Sequence, residues 1–159
     1  MDGAGGPDGA EGPLGPRELR AWAAFLTAGH LIDHEIERRL KRDGGPAHGG
    51  FEVLVRLRSA DGNRLRMSDL AREVMVSKSR LTYQVTQLER AGFVKRTACE
   101  SDRRSVWAEL TGEGAAALGR VRPGHRRVVR EAFVEVLTPE EIELIGDALG
   151  RVADRLRHR

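Results

Sequence analysis

From residue 16 onward, apolar groups recur at Trp22, Leu26, Gly29, Ile32, Ile36 and Leu40, in steps of three and four. That is helical spacing, and it predicts one long amphipathic helix over 16–42 of about seven turns. Pro16 suits its first turn. The stretch "DGGPAHGG", 43–50, ends it with four glycines and a proline. Phe51, Leu54, Val55 and Leu57 then form a short apolar stripe that "DGN" stops. In "RMSDLAREVMV", Ser68 suits an N-cap, and Leu70, Ala71 and Val74 suit the inner face of a short helix. After a turn near Met75–Val76, Ser77 or Ser79 caps a longer helix through Ala91, which Gly92 stops.

The period then changes to two. Val106, Ala108 and Leu110 alternate with Ser105, Trp107 and Glu109, so 93–98 and 105–110 read as two strands of a β-hairpin with charged residues at its tip. Helix returns over 111–136, with a kink expected at Pro123–Gly124. A last helix opens at "LTPEEIE", where Thr138 caps, Pro139 takes the first helical position and Glu141 completes a capping box. Ile142, Ile145, Leu149, Val152 and Leu156 give it a narrow seam suited to packing on another helix.

Two short helices, a tight turn and a hairpin are the plan of a winged helix-turn-helix, in a chain that is mostly α with a small β component. The second helix of such a unit, here 77–91, enters a major groove. At helical steps Leu81, Val85 and Leu88 fall on one buried face. The opposite face carries Ser79, Arg80, Tyr83, Thr86 and Gln87, with Thr82 on its flank and no acid before Glu89. Arg80 suits guanine, Gln87 suits adenine, and Thr82 or Tyr83 can pack on a thymine methyl. Ser68, Ser77 and Lys78 belong to helix N-termini, where the dipole favours phosphate. Lys95 and Arg96 are further phosphate candidates.

Composition adds a basic balance. There are 27 lysines and arginines against 24 acids, and only three are lysines (Lys41, Lys78, Lys95), so the positive charge is nearly all arginine, the side chain that forks to phosphates and guanine edges. The single cysteine, Cys99, cannot form an internal disulfide, which suits a reducing cytoplasm. No run approaches the ~20 apolar residues of a membrane span. Residues 1–15 are rich in Gly, Pro, Ala and acids, and they read as a disordered tail rather than a signal peptide. A phosphate loop, a nucleophile elbow, an HExxH motif and a cysteine with a base partner are all missing, so the sequence does not read as an enzyme, and no cofactor is called for.

The segment 66–114, "RMSDLAREVMVSKSRLTYQVTQLERAGFVKRTACESDRRSVWAELTGEG", resembles the core of the multiple antibiotic resistance regulator (MarR) family. Asp102-Arg103-Arg104-Ser105, then Leu110-Thr111 and Gly114, match that family's wing and the strand after it. Leu88-Glu89 with Gly92 and Phe93-Val94 matches as well. The resemblance extends positionally over about 17–157. It implies a homodimeric, mostly repressing regulator of double-stranded DNA that a small ligand or an oxidant can release. It also assigns Arg104 to the minor groove with Asp102 holding the loop, and leaves Arg103 a backbone contact. A narrow groove attracts arginine, which agrees. The expected organisation is a tail (1–15), a dimerisation helix (16–45), the winged domain (50–110) and terminal dimerisation helices (111–159). The terminal stripes exceed what a small winged domain can cover, which favours a homodimer reading a near-palindromic operator.

For a sensor, Trp22, Phe25, His30, Phe51 and Trp107 could line a cleft for a flat aromatic or phenolic molecule. A urate-sensing branch of the family is similar in a tryptophan on the first helix and an acid opening the short third helix, here Trp22 and Asp69. Alternatives stay open: His30 and His34 four apart could bind zinc, Cys99 beside Arg103 and Arg104 could be oxidised, and a winged helix can serve as a protein–protein module without DNA.

Overall fold

The computed structural model describes residues 12–98 and 105–157. Helix α1 (Pro16–Arg42) is followed by α2 (His48–Ser59), strand β1 (Arg64–Arg66), α3 (Met67–Glu73), α4 (Lys78–Arg90), the hairpin strands β2 (Val94–Ala98) and β3 (Val106–Leu110), α5 (Gly112–Ala132) and α6 (Pro139–Arg157). The sheet is antiparallel in the order β1-β3-β2, with Leu65 opposite Ala108 and Arg96 opposite Ala108 from the other side. This is the winged helix-turn-helix expected, with a third strand that the pattern "RLR" was too short to announce. Among the described residues no helix is long and apolar enough to cross a membrane.

The core is aliphatic. Leu40 from α1, Leu54 and Leu57 from α2, Leu70 from α3 and Leu81, Val85 and Leu88 from α4 meet Leu118 and Val121 from α5, all 2% exposed or less. Each such side chain withdrawn from water contributes about 1.5–3 kcal/mol before entropy is counted. Two helix ends set the angles between these elements. After α3, the Val76 N–H bonds the Ala71 carbonyl at 3.1 Å while Met75 takes φ +53°, a reversal usually given to glycine. After α4, Gly92 adopts φ +77° and the Phe93 N–H bonds the Leu88 carbonyl at 2.9 Å.

Several expectations shift. Helix α3 begins at Met67 with Arg66 in the cap position, so Ser68 lies inside the first turn and is not the cap: β1 pairs with β3 up to Arg66, and the chain enters the helix straight from the strand. Helix α5 is unbroken through Pro123, and the segment ends as a helix at Ala132 with a 3-10 turn at Val134–Val136. Pro123 is on the exposed side and so is Gly119, whose carbonyl loses its helical donor and can turn to water. Gly124 instead marks a close crossing, since a Cβ there would lie 2.1 Å from the Asp43 carboxylate, which is paired with Arg39 at 2.7 Å. Strand β2 starts at Val94, one residue later than expected. The capping box at α6 forms as read: the Thr138 N–H donates to Glu141 at 2.8 Å and the Glu141 N–H to the Thr138 hydroxyl at 3.2 Å.

One junction carries α5 away from the winged core. The Thr111 hydroxyl donates to the Gly92 carbonyl at 2.6 Å and accepts the Gly114 N–H at 3.0 Å, while the Thr111 N–H bonds the Phe93 carbonyl at 3.0 Å. A Cβ on Gly114 would stand 2.1 Å from that same Phe93 carbonyl oxygen. Gly114→Ala should therefore cost about 1–3 kcal/mol in chemical denaturation through overpacking against backbone. Gly119→Ala, on the same helix with open space around it, should be neutral or stabilising by up to about 1 kcal/mol. Equal midpoints for the two variants would contradict this packing.

Candidate nucleic-acid interface

Helix α4 is held by its apolar stripe. Leu81, Val85 and Leu88 are 1%, 0% and 2% exposed, so the side opposite faces outward. Its start is well capped: the Ser77 hydroxyl accepts the Arg80 N–H at 3.2 Å and lies 3.1 Å from the Ser79 hydroxyl. Lys78, Arg80, Tyr83 and Gln87 are exposed, Tyr83 at 66%, and among the described residues none of these side chains has a hydrogen-bond partner. The threonines differ. Thr82 and Thr86 donate back to the carbonyls of Lys78 and Thr82, each at 2.8 Å, so their hydroxyl protons are already engaged and only their oxygens are left as acceptors, that of Thr86 on the Arg96 side.

Arg96 has a different setting from the free phosphate contact its charge suggested. Glu89 receives its Nε at 3.1 Å, its Nη2 at 2.6 Å and its backbone N–H at 3.2 Å, and Nη2 also lies 3.3 Å from the Thr86 hydroxyl. These hydrogen bonds hold the Glu89 carboxyl below its ordinary range. The pair clamps the end of α4 to β2. Its outer edge lines a groove of about 360 Å³ with Arg66, Ser68, Thr82 and Ser105. Lys95 is paired with Glu109 at 3.2 Å. Asp102, Arg103, Arg104 and Cys99 lie outside the described residues.

The residues singled out for a ligand do not form one cluster within the chain. Trp22 and Phe25 stand side by side on α1, ring centroids 5.8 Å apart and about half exposed. His30 is exposed on the same helix, as is His34. Phe51 is in the core, its ring 4.5 Å from that of His125, with which it lines a cavity of about 270 Å³. Burial, with the charges of His48 and Arg122, holds His125 below the usual histidine range. A second cavity of about 450 Å³ shares His48 and Glu52 with the first and reaches Asp33 and Glu37 on α1 and Arg80 and Tyr83 on α4. His48 is tied to Asp33 through its ring and to Glu37 through its N–H at 2.6 Å. Asp69 pairs with Arg72, one helical turn on, at the surface. Trp107 stands apart from all of these, on the sheet under Arg64 and Arg66. Among the described residues, no group of three or more His, Cys, Asp or Glu is arranged to hold a metal ion.

Sequence reasoning missed Arg64 and Arg66. The alternation in "RLR" was the available signal, and only the pairing of β1 with β3 gives it meaning.

Comparison with known proteins settles the lineage. A family model described as MarR family matches residues 48–106. The HTH-type transcriptional repressor YetL of Bacillus subtilis (strain 168) is 33% identical over 127 residues, spanning 80% of this chain and 72% of the relative. The chain belongs to the MarR family. MarR-family structures agree in shape as well: AbsC of Streptomyces coelicolor superposes with a TM-score of 0.88 at 39% identity, over 93% of this chain and 99% of that one. Sco3205 of the same organism, solved in complex with DNA, also gives 0.88, at 37% identity over 91% of each chain. As a MarR-family member the protein is a non-enzymatic, DNA-binding transcriptional regulator.

Proposed function

We propose that the chain acts as a homodimeric repressor whose two α4 helices read successive major grooves of a near-palindromic operator, and that a small aromatic or phenolic molecule releases it. The observation that carries the reading is the outward face of α4, where Lys78, Arg80, Tyr83 and Gln87 are exposed with unengaged side chains. Arg80 and Gln87 supply base-edge contacts, and Ser77, Lys78, Ser79 and Tyr83 position the backbone. Thr82 and Thr86 offer acceptor oxygens. Ser68 and Arg96 face the groove beside α4, and Asp102, Arg103 and Arg104 form the wing contact.

What one chain leaves uncovered supports the dimer. No residue of α6 is buried, and Leu144, Leu149, Val152 and Leu156 are 41–66% exposed. On α1, Leu19, Trp22, Phe25 and Leu31 are similarly bare. A second copy laying its own stripes against these removes the patch from water. The YetL relative is a named repressor. For release, the adjoining cavities lead from Phe51 to Arg80 and Tyr83, so a molecule bound there acts on the reading helix directly. Trp22, Phe25, His30 and Asp69 are the other ligand candidates. The organisation into a tail (1–15), winged domain (50–110) and dimerisation helices (16–45 and 111–159) belongs to the same proposal.

Arg80→Ala is expected to cost roughly 1–3 kcal/mol in operator affinity and to relax preference at one base position. Unchanged specificity in a competition assay would remove Arg80 from base readout. Leu149→Asp is expected to give monomers in sedimentation, and a persistent dimer would take α6 out of the interface.

A further inference from the structure

The outer face of the sheet holds a basic aromatic cluster that the recognition helix does not explain. Trp107 points away from the core: its neighbours Ala108 and Leu110 are buried, whereas it is half-buried with Arg66 and Thr97 opposite in register. The Arg64 guanidinium carbon lies 4.9 Å from the indole centroid and that of Arg66 lies 5.5 Å away. Arg64 is paired in register with Glu109, one step further from the hairpin tip than Trp107. Its side chain nonetheless reaches back towards the tip to cover the ring.

Neutralisation is absent where it would be expected. Glu109, the acid opposite Arg64, is drawn to Lys95 at 3.2 Å, and among the described residues neither Arg64 nor Arg66 forms an ion pair or hydrogen bond through its side chain. A guanidinium over an aromatic face is attracted by the ring without spending its N–H donors. Two such groups side by side fit recognition of phosphate oxygens.

Position selects the partner. Arg66 also lines the groove that contains Thr82 of α4 and Ser68 of α3, so the cluster is continuous with the face that reads DNA. We propose that Arg64 and Arg66, stacked over Trp107, form a second phosphate-binding shelf that grips the duplex backbone beside the stretch read by α4. The proposal rests on the DNA-binding reading and extends its footprint along the β1 side of the wing. The shelf contributes affinity at any sequence and takes no part in base choice.

The test is a salt titration of binding to the duplex recovered by selection and to a long random-sequence duplex. Arg64→Ala/Arg66→Ala should raise Kd roughly tenfold on both and make the slope of log K against log salt shallower by about two units. Arg126→Ala/Arg127→Ala, an equal loss of charge on exposed α5 positions, should leave the slope as in the parent. Trp107→Leu, which keeps both charges, should weaken binding several-fold. A parent slope retained by Arg64→Ala/Arg66→Ala while Arg80→Ala is impaired would overturn the shelf alone. Equal losses for the two arginine pairs, or a Trp107→Leu protein binding like the parent, would do the same. A parent that binds neither duplex at low salt would overturn the DNA-binding reading and the shelf together.

Discussion

Leu81, Val85 and Leu88 are the side chains on which the molecule turns. They leave water together, against Leu54, Leu57 and Leu70, and they fix the rotation of α4 about its own axis. A helix has a period, so burying one stripe decides what every other residue faces. Had the stripe been displaced by one position, Arg80 and Gln87 would meet the core and the leucines would be turned about 100° out of it. The same burial that stabilises the domain therefore decides what α4 presents, and no separate device is needed to expose Arg80 and Gln87.

Around that stripe, short polar locks set the remaining angles. The reversed turn at Met75 joins α3 to α4, Glu89 and Arg96 tie the far end of α4 to the sheet, and Thr111 links the end of the hairpin to the start of α5. Each lock involves the end of a helix, where backbone groups are left to satisfy. The result is a rigid wedge whose outward surfaces are the α4 face and, next to it, the arginine-covered Trp107. Of the long helices, α1 and α5 each give one face to the core, through Leu40, Leu118 and Val121, while no residue of α6 is buried. The bare apolar stripes of α1 and α6 are the observation on which the proposed dimer rests.

How much of this was legible follows from how local each signal is. Helical periods, the Thr138–Glu141 capping box and the Gly92 stop are written within a few residues, and the structure repeats them. The outward face of α4 was readable for the same reason, since one helix contains its whole pattern. Strand β1 was not, because three residues acquire a partner only when β3 arrives more than forty positions later. Ser68 looked like a cap until the strand carried the chain past it. Gly124, singled out with Pro123 for a kink, also marks a tight crossing with the Arg39–Asp43 pair, a tertiary fact with no trace in local spacing. Arg96 likewise reads as a spare cation until Glu89 is seen beside it. The aromatics Trp22 and Phe51 share a composition class but not a place.

The central claim is that one chain presents a single reading helix and that symmetry doubles it. Genomic-fragment selection with the purified protein tests this most directly. Two reading helices related by a dyad predict a recovered motif with two inverted half-sites whose centres are about 10–10.5 base pairs apart. Fragments with a single unrepeated half-site, or none enriched at low salt, would contradict it.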